Sequence, residues 1–468
     1  MENRVFARHD VNTRAVEKML DTFEKIKTAP RALKILKGGE PVLSLSFAPY
    51  NIAEPMYLYS LSKPYTSVAV GICCDMGLLS PETKMCELFA DKMPAELTEG
   101  LKKLTLADLL TMRCGHGRCV IEDMRWSDDA LKAFFAFPMQ FEPGTTFVYS
   151  TGATCVCAAA VERVTGRKMI DFTEEKLFSV LGVKTPEWRE CRDGTCLGGT
   201  GLLVDIETQI RFQQMLLQKG VYNGKRVVSE EYLALATSAV TQTYKDHPSK
   251  DWGSGYGFQF WQNGRGGFRG DGAYGQIGFV LPAEDTVLAF FGESFDAVAE
   301  FNAVNEMLDN LYTPGEHDAA ALERRCAALY TPEKGEESPD AEAGFAFEPN
   351  GLNISGGKLE VSNGKMRVVL YTDVGERSFV CGEGEYLRSS TSLRGFDSTQ
   401  VPQDPRLNSE MPFEVYGAYS CVSEGVYKLT LRKADTCHTQ YWTFDFTQGR
   451  LNIETRMGNL CVKEFRFK

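Results

Sequence analysis

The sequence predicts an α/β domain over residues 1–315, a linker at 316–344 and a separate all-β antiparallel domain over 345–468. Three observations carry this division. Apolar residues at helical spacing alternate with short strand-like runs through the first half of the chain, and from residue 255 the period shifts towards strands. Within the linker, residues 331–344, TPEKGEESPDAEAG, are acidic, contain Pro and Gly and are poor in apolar side chains. That is the composition of a tether rather than of a core element.

The elements follow in order. Residues 12–28 place Val16, Met19, Leu20, Phe23 and Ile26 at helical spacing. ALKILKG and PVLSLSF read as short strands. Ser60 opens a segment of small and apolar residues that runs to Gly77, a C-cap. LTLADLLTM (104–112) reads as a helix. FEPGTTFVYSTGATCVCAAAVERVTG (141–166) reads as a turn, a short extended piece ending near Tyr149, and an alanine-rich helix.

GYGFQFWQN, GGFRGDGAYGQIGFVLP and DTVLAFFGES then read as strands. In the first, Tyr256, Phe258 and Phe260 fall on one face and Gln259 and Trp261 on the other, as ordinary strand packing. A helix with Val298, Phe301, Val304, Met307 and Leu308 on one side closes the domain by about 313. Beyond the linker, KLEVSNGKMRVVLYTD, GVYKLTLRKAD and QYWTFDFTQGRLNIETRMGN alternate short runs with turns, as in a sandwich or barrel.

Composition narrows the function. A net charge of −12 and a pI near 5.2 leave no basic excess to displace phosphate counterions or to dock on an anionic membrane. The N-terminal residues lack a signal-length apolar stretch and no 18-residue apolar run occurs, so a cytoplasmic protein is expected. Its 14 cysteines are then expected as thiols. Two C-x4-C pairs, Cys114/Cys119 and Cys191/Cys196, are spaced more widely than structural zinc ligands usually are. They are read as loop cysteines, with no metal and no cofactor. The chain has five histidines and no G-x-S-x-G elbow, H-E-x-x-H or Walker A loop, which leaves a Ser-His-Asp triad poorly supported.

The chemistry centres on YLYSLSKPYTS, where Ser60 and Lys63 stand three apart. Spacing alone is weak, because Ser355–Lys358 (SGGK) and Ser362–Lys365 (SNGK) share it. Those two read as glycine turns between strands. Ser60–Lys63 alone starts a helix, where positions i and i+3 share a face. The helix N-terminus favours negative charge on the serine oxygen. A serine hydroxyl needs a base to become a nucleophile, and a lysine serves only if its pKa falls.

The order of motifs adds the decisive context: S-x-x-K, then PGT-x-F-x-Y-S-x-G-A with Tyr149, then a glycine-rich strand. Over roughly residues 10–313, with LTLADLLTMRCGHG, GGTGL, GYGFQFW and RGDGAYGQIGFVLP in sequence, the chain resembles the class C β-lactamase and penicillin-binding-protein-like serine hydrolases. That family includes esterases and D-amino-acid amidases. The resemblance implies a β-lactamase/DD-peptidase-like fold, an antiparallel sheet flanked by helices with a helical subdomain. It implies Ser60 as acylated nucleophile, Lys63 as proton acceptor and Tyr149 as second acid/base. The third motif falls on GDGA, Gly270–Ala273, so the backbone N–H groups of Ser60 and Ala273 would form the oxyanion hole. Gly272 and Tyr274 would join the substrate-binding wall.

Two positions depart from the family pattern. Thr151 replaces the asparagine of Y-x-N; its hydroxyl can still reach Lys63. Asp271 occupies the middle of the third motif, where relatives place groups that hold a substrate carboxylate. An aspartate there would repel such a substrate, and Arg269 is expected on the face opposite Gly270. The expectation is an esterase or amidase on small neutral or cationic ester or amide substrates. A β-lactamase or DD-peptidase, and a non-catalytic binding module on the same fold, are the competing readings. No role can be read for the β-domain.

Overall fold

The computed structural model describes residues 5–468 apart from 245, 248, 337, 394–411 and 458; the part of the β-domain at 394–411 therefore lies outside the described residues. The central sheet has seven strands: β1 (Val5–Ala7), β2 (Ala29–Lys37), β3 (Glu40–Ser46), β4 (Trp261–Gln262), β5 (Phe268–Gly272), β6 (Gln276–Leu281) and β7 (Thr286–Glu293). Their spatial order is β1-β3-β2-β7-β6-β5-β4, antiparallel throughout. The second strand of this domain and its last thus meet at β2–β7, which closes the α/β part into one body.

Each face of the sheet is covered by helices. Helix α1 (Thr13–Lys25) buries Val16, Met19, Leu20 and Phe23, the stripe expected from its spacing, and packs with a later helix of the domain. On the other face lie α2 (Lys63–Asp75), α3 (Thr151–Thr165) and α4 (Ile206–Leu217). Helix α2 is buried from Lys63 to Cys73 and packs on α3. The covering helix on the α1 side is α5 (Ala297–Asn310), which carries Phe301, Val304, Met307 and Leu308 inward.

Three expectations change. α-Helical bonding begins at Lys63, not Ser60, because Ser60 lies in a 3-10 turn, Tyr59–Ser62. Pro64 lacks an N–H and suits only the first turn of a helix. The stretch 255–260 is not a strand; Gln259 takes φ +69° and turns its amide inward, where it binds Thr154 and the carbonyls of Leu109 and Leu110. The stretch read as linker holds a helix, α6 (Ala319–Ala328), whose Leu322 and Cys326, four apart, are buried in the α1–α5 core.

The C-terminal part is a ten-stranded sheet curled as a half-barrel. Its strands are β8 (Ala341–Ala346), β9 (Ile354–Ser362), β10 (Lys365–Thr372), β11 (Gly375–Glu383), β12 (Leu387–Thr391), β13 (Phe413–Ser423), β14 (Val426–Lys433), β15 (Thr439–Asp445), β16 (Arg450–Met457) and β17 (Asn459–Arg466). One pair, β11–β13, is parallel, so the sheet is mixed rather than wholly antiparallel. A bridge between Phe347 and Phe467 brings its two edges together. Phe345, Val368, Phe379, Leu429, Trp442 and Phe444 fill its core. No helix among the described residues is long and apolar enough to cross a membrane.

Candidate active site

Ser60 and Lys63 meet because of the 3-10 turn. In that geometry side chains at i and i+3 nearly eclipse, and Lys63 Nζ lies 2.9 Å from Ser60 Oγ. The same ammonium donates to Thr151 Oγ1 at 3.1 Å and to the Gly199 carbonyl at 2.9 Å. Three N–H groups thus have three acceptors, which is what allows a lysine to be buried. Burial still dominates its titration: the Lys63 pKa falls to about 7, against the opposing pull of Cys119 and Asp271.

Tyr149 and Thr151 arrive together at the entrance to α3. Ser150 caps the helix, accepting from the Ala153 N–H, and leaves Tyr149 just outside the first turn and Thr151 as its first residue. The Lys63 ammonium sits 4.7 Å from the Tyr149 ring centroid. The Tyr149 phenol is pushed well above its ordinary pKa, mainly by burial and then by the Asp271 charge, while a hydrogen bond with Ser60 pulls the other way.

The β5–β6 hairpin forms the opposite wall. Asp271 and Gly272 end β5, and Ala273 lies in the turn just past the strand rather than on it. A Cβ on Gly270 would fall 2.6 Å from Leu61 and one on Gly272 would fall 2.1 Å from the Leu58 carbonyl. Glycine is required at both for the hairpin to lie against the Ser60 turn. Ser60, Tyr149, Asp271, Gly272, Ala273 and Tyr274 all line one cavity of about 460 Å³.

Asp271 is not the unpaired charge its position implied. Arg269 is two residues away on the same face of β5, and its Nη2 lies 3.2 Å from Asp271 Oδ2. The guanidinium is fully buried among Trp252, Trp261 and Phe301, and it also donates to the Asp251 and Gln262 carbonyls. Arg265 points elsewhere, to Glu284 and Asp309.

Several wall residues escaped sequence reasoning. Trp261 stacks on Tyr149 with centroids 5.5 Å apart, and Tyr244, Trp252, Phe295, Glu300 and Phe301 share the lining. Gly199 was visible only as part of GGTGL. A Cβ there would stand 2.9 Å from Thr151 and Thr154, so glycine lets this loop press onto α3 and aim its carbonyl at Lys63. The two C-x4-C pairs do not converge: Cys191 instead approaches Cys155, sulfur to sulfur at 3.9 Å, while Cys119 accepts from the Thr151 N–H. Among the described residues no group of three or more His, Cys, Asp or Glu is placed to hold a metal ion.

This fold and this constellation define a class. The Beta-lactamase family model matches residues 31–308, and the chain belongs to that family of serine hydrolases. It is 24% identical over 170 residues to the lovastatin esterase of Penicillium rubens, an alignment covering 31% of this chain and 42% of that esterase. The chain therefore spans less than half the length of that relative. A family VIII carboxylesterase superposes with a TM-score of 0.51 at 18% identity, covering 65% of this chain and 99% of the esterase. The octameric penicillin-binding protein homologue from Pyrococcus abyssi superposes with a TM-score of 0.51 at 13% identity. That match covers 97% of this chain and 99% of the homologue, so the likeness in fold extends through the C-terminal sheet.

Proposed function

We propose that the protein is an esterase or amidase that acts through an acyl-enzyme on Ser60 and takes neutral or cationic small substrates. The observation that carries this reading is the setting of Lys63. With its pKa near 7, a large fraction of Lys63 is the free amine at neutral pH. A neutral amine has two N–H groups and one lone pair. The Gly199 carbonyl and the Thr151 hydroxyl take the two N–H groups, which turns the lone pair towards Ser60.

Ser60 Oγ then attacks the substrate carbonyl as its proton passes to Lys63. The N–H groups of Ser60 and Ala273 hold the developing oxyanion. Tyr149, kept protonated by burial, donates to the leaving group as the tetrahedral adduct collapses. Water, deprotonated by the same groups, releases the acid from Ser60.

The lining supports the choice of substrate charge. Its ionisable groups other than tyrosines are two carboxyls, Asp271 and Glu300; no Lys, Arg or His lines it among the described residues. Arg269 is already committed to Asp271. A substrate carboxylate finds no free cation on this wall, while an apolar or ammonium-bearing group meets aromatic faces.

Labelling separates the readings. A fluorophosphonate should modify the protein rapidly and a fluorescent penicillin should not, with Ser60→Ala abolishing the phosphonate adduct. A short-chain nitrophenyl ester should be hydrolysed in preference to nitrocefin. A penicillin adduct with efficient nitrocefin turnover would make it a β-lactamase or DD-peptidase instead, and absence of any adduct would leave a binding module.

A further inference from the structure

Two tyrosines flank the proposed oxyanion hole, and both have an unusual backbone. Tyr59, immediately before Ser60, has φ +50°, and Tyr274, immediately after Ala273, has φ +64°. A side-chain-bearing residue enters this left-handed region at an energetic cost, and stays there only when its surroundings fix it. The two rings meet edge to face, centroids 5.3 Å apart. Their carbonyls are held within the α/β domain, Tyr59 by the Ser62 hydroxyl at 2.7 Å and Tyr274 by the Ser294 N–H at 3.0 Å, while their rings are held from the C-terminal sheet.

The short connection between β14 and β15 dips into the α/β domain. The Tyr57 N–H donates to the Asp435 carbonyl at 2.8 Å, and Arg31 donates to the Ala434 carbonyl at 3.1 Å. The Thr439 hydroxyl donates to Glu293 at 2.7 Å, at the end of β7. Between these ties, the Tyr59 hydroxyl lies 3.1 Å from His438 Nε2 and 3.4 Å from Cys437 Sγ. The His438 ring packs edge to face on Tyr274 at 4.8 Å. Its Nδ1 faces the Arg456 carbonyl at 3.4 Å. A carbonyl only accepts, so Nδ1 carries the proton and Nε2 accepts from Tyr59. Burial holds the Tyr59 phenol far above its ordinary pKa, which keeps it a donor.

We propose that the 434–439 segment is a working part of the active site: His438, through Tyr59 and Tyr274, positions the two backbone amides that receive the oxyanion. His438 and Tyr59 are thus positioning residues, and the β-domain completes the site rather than standing apart from it. This rests on the acyl-enzyme reading, with the N–H groups of Ser60 and Ala273 as donors. An amide held in place before reaction stabilises an oxyanion far better than one that must reorganise.

The test is steady-state hydrolysis of a nitrophenyl ester by the full-length protein, by Tyr59→Phe, by His438→Phe and by the double variant, with thermal melts beside each. Each single variant should lose about tenfold in kcat with KM changed by less than about twofold. The double variant should lose no more than either single, because both remove one hydrogen bond. His438→Gln, which restores an acceptor, should recover part of kcat. If Tyr59→Phe or His438→Phe melts near room temperature, His438→Gln is compared with wild type instead: a lower kcat at unchanged KM supports the inference, and an unchanged kcat overturns it. Unchanged kcat, or losses that simply add in the double variant, would overturn the inference while leaving the hydrolase reading intact. Absence of Ser60-dependent turnover in the unmodified protein would overturn both.

Discussion

Arg269 and Asp271 stand two apart on β5 and meet at 3.2 Å, the guanidinium fully buried and the carboxylate partly open to the cavity. The charge that makes the third motif look hostile to β-lactams is thus half of an ion pair. Removing one member of a buried pair costs about 3–5 kcal/mol, because the other is left uncompensated. Asp271→Ser should therefore lower stability by an amount in that range and bare a cation at the cavity wall. The ratio of nitrocefin to neutral-ester kcat/KM should rise at least about tenfold. An unchanged ratio, in a variant shown by melting to be folded, would remove Asp271 from substrate selection.

On the proposed mechanism, Lys63 sets the pH profile. Its pKa is lowered by burial to about 7, so it is charged below that pH and a free base above it. The kcat/KM for a nitrophenyl ester should climb from pH 6 to pH 8 with a midpoint near 7, since only the free base can accept the Ser60 proton. Lys63→Arg keeps the charge throughout this range, because a guanidinium does not deprotonate. Activity should fall by about 10²–10⁴ and the rise with pH should vanish.

Thr151 is the departure from the family pattern that touches Lys63 directly, at 3.1 Å. Its hydroxyl stabilises the charged amine, so removing it should favour the neutral form. Thr151→Val should shift the midpoint of the pH profile down by about one unit, the equivalent of one hydrogen bond to a charged group. Its kcat should fall as well, because the amine loses one of the two acceptors that orient its lone pair. A midpoint that moves up, or not at all, would contradict the geometry.

The parts of this site legible in the sequence are those written in short local patterns. Ser60–Lys63 depends on three residues of turn, and Tyr149–Thr151 on a capped helix start, so each could be read in place. The pairing of Arg269 with Asp271 was also legible, because strand residues i and i+2 share a face; comparing Arg269 with Gly270 asked the wrong question of the alternation. Helix α6 was hidden by averaging: AAALERRCAA places Leu322 and Cys326 four apart, but the acidic stretch beyond it gave the whole segment the look of a tether. Trp252, Glu300 and Phe301 reach the cavity from separate elements that only tertiary packing brings together, as in the Trp252–Phe301 stack at 5.0 Å. The same holds for Tyr59 and His438, 379 residues apart, whose contact no local period records.

Glu300 offers a separate check on the cavity wall through stability. It is buried beneath the β5–β6 turn, where a Cβ on Gly275 would lie 2.6 Å from its Oε1. Burial, then the charges of Asp271 and Asp296, raise its pKa to about 8, with Ser294 pulling the other way. The native state therefore holds a proton that the unfolded chain releases above its ordinary carboxyl pKa of 4.5. Stability should fall as pH rises from about 4.5 through 8. Between pH 5 and pH 8 this one group removes about 3–4 kcal/mol. Lys63 works in the opposite direction above pH 7, since its native form gives up a proton that the unfolded chain keeps, so wild type alone does not isolate Glu300. The difference between wild type and Glu300→Gln does. Urea midpoints should converge near pH 5 and separate by pH 8, with the glutamine variant the more stable. Parallel pH dependence in the two proteins would mean that Glu300 titrates as an ordinary carboxylate.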